Sequence, residues 1–140
     1  MRFDGGAWLA GVVAVLALAG CAGSRAATPG TATAVTDVAS VAGRWTGLLD
    51  MEGSRDREDF VELVVDPSGV YRAVAARTIG MMDAQGTIAV AGNGTLILRG
   101  NRGSQATATL YTGAPPGPRL LVLEGATPAG RRFRAQLRQP

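Results

Sequence analysis

The chain has 140 residues, a formal net charge of +3 and 14 basic residues, all of them arginine. Since it has no histidine and one cysteine, it offers no imidazole base, no histidine ligand for a metal and no internal disulfide. The length fits one domain. Catalysis would have to use carboxylates and hydroxyls, and no grouping of these in the sequence indicates a reaction. We therefore expect neither an enzyme nor a cofactor.

The amino-terminal segment has the features of an export signal. An apolar run covers residues 7–18, within the range of about 7–15 residues for a signal-peptide core and below the roughly 20 of a spanning helix. The motif that follows, Leu18-Ala19-Gly20-Cys21, resembles the lipobox of bacterial lipoproteins. The resemblance implies cleavage between Gly20 and Cys21, which makes residues 1–20 a signal peptide. An ordinary cleaved signal peptide and an uncleaved helix are the alternatives.

The lipobox resemblance also predicts where the protein is located. It implies a diacylglycerol thioether on Cys21 and an acyl chain, such as palmitate, on the new amino terminus. Ala22 stands where some lipoproteins have Asp, and by resemblance to Gram-negative sorting this favours the outer membrane, facing the periplasm. Residues 21–42 are rich in Ala, Thr and Gly, which predicts a lipidated, flexible linker.

From Gly43 onward, short β-prone runs alternate with turn sequences, as in an all-β sandwich or barrel. Short connections predict antiparallel neighbours, and about eight such strands tend to close because closure removes exposed edges. We therefore predict a small up-and-down meander barrel over residues 43–140. The predicted strands are 44–51, 60–65, 70–79, 87–91, 95–99, 105–112, 119–124 and 131–138. The predicted turns are 66–69, 83–86, 93–94, 100–103 and 127–130, with a proline-rich loop at 113–118.

Side-chain alternation predicts which strand faces are buried. In the last strand, Phe133, Ala135 and Leu137 share one face, and arginines and a glutamine occupy the other. In the first strand, Trp45 and Met51 fall on the same face.

The first strand opens with Gly43-Arg44-Trp45, which is similar to the Gly-x-Trp start of lipocalins and of avidin-like barrels. In lipocalins this Trp plugs one end of the barrel, and an Arg near the end of the last strand packs on it. The resemblance therefore implies that Trp45 is a plug and that Arg134 or Arg138 covers it. The alternative is an ordinary core Trp in a sandwich.

An acid-rich stretch at residues 50–62 could supply oxygen ligands for calcium. Arg55 and Arg57 lie among its acids, and it lacks the spacing of a calcium loop. We therefore predict a solvated loop and no metal.

Two classes of function remain. The sequence favours an interaction or structural lipoprotein with a solid barrel, because its short strands predict a small lumen. The alternative is a lipocalin-like binder of a small apolar or amphipathic ligand, since an eight-stranded barrel can do either. A third possibility is weak binding of anionic envelope polymers by residues 99–140, which contain seven arginines and one acid.

Expected partners are the membrane and an envelope protein or small ligand. Nucleic acid is not expected, because stacking aromatics are few.

Overall fold

The computed structural model describes residues 30–54, 59–77, 80–113 and 117–140. The predicted signal peptide and lipobox, including Gly20 and Cys21, lie outside the described residues. The described part forms nine strands and one short 3-10 helix. In chain order these are β1 (Thr31–Thr33), the 3-10 helix (Val38–Val41), β2 (Gly43–Met51), β3 (Asp59–Val65), β4 (Val70–Arg77), β5 (Gly80–Val90), β6 (Leu96–Gly100), β7 (Gln105–Thr112), β8 (Arg119–Ala126) and β9 (Arg132–Arg138).

Strands β2 to β9 close into an eight-stranded barrel. Each strand pairs antiparallel with the next along the chain, and β9 pairs with β2. The closing register places Leu49 opposite Ala135. β1 is a ninth strand that pairs with the last residues of β7, beyond the part of β7 that pairs with β6. The predicted all-β up-and-down barrel is confirmed.

Local turn chemistry sets most of the hairpins. At the β3–β4 turn, the amide of Gly69 donates to the carbonyl oxygen of Asp66 over 3.0 Å. The Asp66 carboxylate accepts from the amide of Ser68 over 2.8 Å, and hydrogen bonds from Ser68 hold the pKa of this exposed carboxyl below its ordinary value. Gly69 has a φ of 89°, which other residues adopt at a cost. Comparable turns close at Gly94, Gly103 and Gly130.

The predicted turn at residues 83–86 is wrong. These residues lie inside β5, where Gly86 is paired with Tyr71 of β4 and with Gly100 of β6. A Cβ added to Gly86 would lie 1.9 Å from the carbonyl oxygen of Arg99. Gly86 is therefore required by the close approach of a neighbouring strand and not by a turn.

The barrel domain begins earlier than the predicted boundary at residue 43. Residues 30–42, which belong to the predicted linker, form β1 and the 3-10 helix. Val35 and Val41 are buried, with 3% and 0% of their surface exposed. The Asp37 side chain caps the 3-10 helix by accepting from the amide of Ala39 over 3.0 Å. The apolar residues of this segment are four alanines and the valines Val35, Val38 and Val41, and without a larger apolar side chain the sequence pattern does not indicate their burial.

The buried apolar side chains lie on the inside of the barrel. On β9, Ala135 and Leu137 are buried and Phe133 is half-buried, while Arg134 and the other alternate residues are exposed, so the predicted alternation is confirmed. Trp45 on β2 is completely buried. In the described part of the chain, no helix is both long and apolar enough to cross a membrane.

Candidate functional site: the barrel interior

One end of the barrel is closed by the segment that precedes β2. The amide of Val35 donates to the carbonyl oxygen of Gly94, in the β5–β6 turn, over 2.8 Å. That turn lies on the opposite side of the ring of strands from β2. Residues 35–43 therefore cross the barrel end between these two points. We call this end the closed end.

Trp45 fills the barrel beneath this segment. Its indole nitrogen donates to the carbonyl oxygen of Val41 over 2.8 Å. The guanidinium of Arg119, the first residue of β8, lies 5.5 Å from the centroid of the Trp45 ring. Arg119 also donates to the side chain of Gln139 over 2.9 Å and to the carbonyl oxygen of Ser40 over 2.7 Å. One side chain thus joins the indole, the carboxyl terminus and the 3-10 helix.

The arginine against the indole is therefore not one of the two predicted on β9. Arg134 is an exposed residue whose guanidinium lies 3.5 Å from the Glu124 carboxylate, at the far end of β9 from Trp45. Arg138 is near the closed end but is exposed on the outer face. Arg119 is the first residue of β8, which starts at the closed end as β2 does. In an up-and-down barrel this position places Arg119 near Trp45, and it is the sequence signal that the prediction missed. Gly43 begins β2 with a φ of 115°.

Beyond Trp45, the barrel encloses a cavity of about 450 Å³. Its wall is mainly apolar, with large side chains such as Leu49, Leu98 and Phe133. Five lining positions carry only a methyl group, and these are Ala73, Ala75, Ala84, Ala106 and Ala135. The small side chains leave the middle of the barrel unfilled. The volume falls in the range of about 300–1,000 Å³ that is typical of small-molecule sites.

The cavity opens at the end opposite Trp45, which we call the mouth. Its rim carries Asp83 and Gln85 of β5, Asn101 and Arg102 of the β6–β7 turn, and Pro128 of the β8–β9 turn. These five residues are exposed. The amide of Asn101 donates to the carbonyl oxygen of Gln85 over 2.8 Å, which fixes the β6–β7 turn against β5. A polar rim around an apolar interior suits a ligand that enters from water.

A pair of hydroxyl groups interrupts the apolar wall. Tyr71 of β4 has 5% of its surface exposed, and Ser104, which precedes β7, is half-buried. Both line the cavity. Burial raises the pKa of Tyr71 above its ordinary value of 10.0, and a hydrogen bond with Ser104 offsets part of that rise. The phenol is therefore neutral at physiological pH.

The first part of the acid-rich stretch contacts arginines of the β8–β9 turn and β9 through Glu52. The carbonyl oxygen of Glu52 accepts from the Arg131 guanidinium over 2.8 Å, and its carboxylate lies 3.3 Å from the amide nitrogen of Arg132. Residues 55–58 of this stretch lie outside the described residues. Within the described ranges, no three acidic or cysteine side chains are placed to hold a metal ion.

No family model matches the chain, and no curated protein is significantly similar to it.

Proposed function

We propose that the domain binds one small apolar or amphipathic molecule inside the barrel. The observation that carries this proposal is the cavity of about 450 Å³ between Trp45 and the mouth. The solid barrel favoured from the sequence would leave no such volume. The cavity thus supports the alternative function, that of a small-molecule binder.

The lining residues define the chemistry of the ligand. Leu49, Leu63 and Leu123 present hydrocarbon to the interior, and burial of apolar surface contributes roughly 25 cal/mol for each Å² removed from water. The ionisable lining residues of the described wall are Asp83 and Arg102 at the mouth and the neutral Tyr71. The body of the ligand is therefore uncharged, and a charged group would remain at the mouth.

We further propose that the domain is held on the periplasmic side of the outer membrane by lipid on Cys21. The lipobox sequence supports this location. Because β1 pairs Thr31 with Thr112, the last residue of β7, the chain enters the barrel at the closed end. From Cys21 to Gly30 the chain spans at most about 30 Å. With this anchor the closed end, where the chain joins the barrel, would lie within about 30 Å of the membrane.

The other two functions predicted from the sequence stay predictions. An interaction module would need an exposed contact surface. Leu48 and Phe60 offer apolar surface of this kind, since they lie opposite each other on the outer face with 46% and 52% of their surfaces exposed. For anionic polymers, several arginines of the carboxyl-terminal half already have partners: Arg119, Arg131 and Arg134 contact other groups of the domain.

Substitution of neighbouring alanines tests the proposal. Ala75 and Ala106 face the cavity, whereas Ala76 and Ala89 are exposed on the outer face. The neutral fluorescent probe N-phenyl-1-naphthylamine should bind the wild type at one site. Its affinity should fall about tenfold or more in Ala75→Leu/Ala106→Leu, a loss of at least about 1.4 kcal/mol, and stay unchanged in Ala76→Leu/Ala89→Leu. Equal binding by both double variants, or none by the wild type, would contradict the proposal.

A further inference from the structure

The hydroxyl pair in the cavity wall depends on an unusual arrangement of three strands. Tyr71 of β4 is opposite Gly86 of β5, and Gly86 is opposite Gly100 of β6. Neither glycine has a side chain to block the phenol, which crosses toward β6 and hydrogen-bonds Ser104. The space beside Gly100 is occupied by Ser104, because a Cβ added to Gly100 would lie 2.0 Å from the Ser104 hydroxyl oxygen.

The pair has hydrogen-bonding capacity left over. Two hydroxyl groups carry two protons, and the hydrogen bond between them uses one. The second proton can be donated to a molecule in the cavity that both residues line. An apolar ligand that covered the pair without accepting this proton would leave a donor without water, at a free-energy cost.

We propose that Tyr71 and Ser104 form the polar contact of the barrel ligand, and that this ligand carries an uncharged oxygen acceptor, such as a ketone, ester or amide carbonyl, on an apolar body. The inference rests on the proposed function, since it names the ligand class of the same cavity. A carboxylate is disfavoured at this position. Arg102, the arginine that lines the described wall, lies at the exposed mouth, and a buried anion without a cation is costly.

A matched pair of probes tests the acceptor. The probes are 2-acetylnaphthalene, which has a carbonyl oxygen, and 2-ethylnaphthalene, which has similar shape and no acceptor. Each displaces N-phenyl-1-naphthylamine from the full-length protein, and displacement gives its affinity. Tyr71→Phe/Ser104→Ala removes both hydroxyl protons. The control is Tyr111→Phe, which removes a hydroxyl from the second tyrosine of the chain, a half-buried residue of β7.

The double variant should bind 2-acetylnaphthalene about 2- to 12-fold more weakly than the wild type, the range expected for one neutral hydrogen bond. It should bind 2-ethylnaphthalene as tightly as the wild type or more tightly, and Tyr111→Phe should leave both affinities unchanged. The infrared carbonyl band of bound 2-acetylnaphthalene gives a second readout. This band should lie at lower frequency in the wild type and move toward its position in an apolar solvent in the double variant.

Different failures have different meanings. If both probes bind wild type and double variant equally and the carbonyl band does not move, the contact assigned to Tyr71 and Ser104 is wrong while the cavity remains a binding site. If neither probe binds the wild type, the proposed function itself is wrong. If the double variant binds both probes more weakly than the wild type by the same factor, Tyr71 and Ser104 support the shape of the cavity and do not recognise an acceptor. That result also overturns the inference.

Discussion

The indole nitrogen of Trp45 donates a hydrogen bond to the backbone carbonyl oxygen of Val41 over 2.8 Å. This bond ties the first barrel strand to the segment that crosses the closed end. Both residues are completely buried. The bond therefore joins two parts of the core. The indole both fills the space beneath the crossing segment and donates the hydrogen bond that holds that segment in place.

Replacing Trp45 should strongly destabilise the domain. Trp45→Ala leaves a large void and should lower the free energy of unfolding by about 3–5 kcal/mol, a large part of the roughly 5–15 kcal/mol that holds a domain folded. Trp45→Phe keeps most of the volume but leaves the Val41 carbonyl without its donor, at a cost of about 1–3 kcal/mol. Urea unfolding followed by circular dichroism measures both. Leu48→Ala, on the exposed face of β2, is the control and should cost about 0.5 kcal/mol or less.

Arg119 should contribute more to stability than the arginines of β9. Arg119→Met removes a cation–π contact worth about 0.5–2 kcal/mol together with the hydrogen bonds to Ser40 and Gln139. Arg134 makes an exposed ion pair, worth about 0–1 kcal/mol, and Arg138 is exposed on the outer face, so Arg134→Met and Arg138→Met should change the unfolding midpoint little. A larger loss for Arg138→Met than for Arg119→Met in parallel urea titrations would mean that the wrong cation is assigned to the indole.

Removal of residues 30–42 should unfold the barrel or leave it only marginally stable. A chain that starts at residue 43 lacks β1 and the two buried side chains of Val35 and Val41, each worth about 1.5–3 kcal/mol of burial, and it exposes Trp45. Thermal unfolding by circular dichroism compares this chain with one that starts at residue 30. Equal midpoints for the two chains would show that the segment is a dispensable linker.

Tyr71 should make the domain less stable at high pH. Burial raises the pKa of Tyr71 in the folded state above 10.0. Above pH 10 the unfolded chain therefore loses this proton while the folded protein keeps it, and the stability falls as the pH rises from about 10 through the folded pKa. Urea midpoints between pH 9 and 11.5 should fall more steeply for the wild type than for Tyr71→Phe. Parallel curves would mean that the phenol ionises equally in both states.

Lipidation should hold the protein on the membrane. One acyl chain gives only marginal binding, at about 0.8 kcal/mol for each buried methylene, whereas several chains anchor firmly. After expression in a Gram-negative host, the wild type should partition into detergent, and its amino-terminal peptide should carry the lipid mass on Cys21. Cys21→Ser should lack this mass and appear in the soluble fraction. A Cys21→Ser protein that remains membrane-bound in mature form would contradict the lipoprotein assignment.

The sequence by itself determined most of the barrel strands, most of the turns and the alternation of buried faces. These features depend on a few consecutive residues. Asp66 and Ser68 shape their turn through local hydrogen bonds, and Gly69 supplies the backbone angle that the turn needs. Alternation along β9 assigns Phe133 and Leu137 to the inside, because successive side chains of a strand point to opposite faces.

Only the tertiary structure decided what depends on strands that are distant along the chain. Gly86 resembles a turn residue in sequence, but the approach of Arg99 on the next strand requires glycine there. Arg119 covers Trp45 because closure brings the start of β8 to the end of the barrel where β2 begins. The cavity arises because small side chains from several strands line the same interior, and the volume that they leave is a property of the closed barrel and of no single strand.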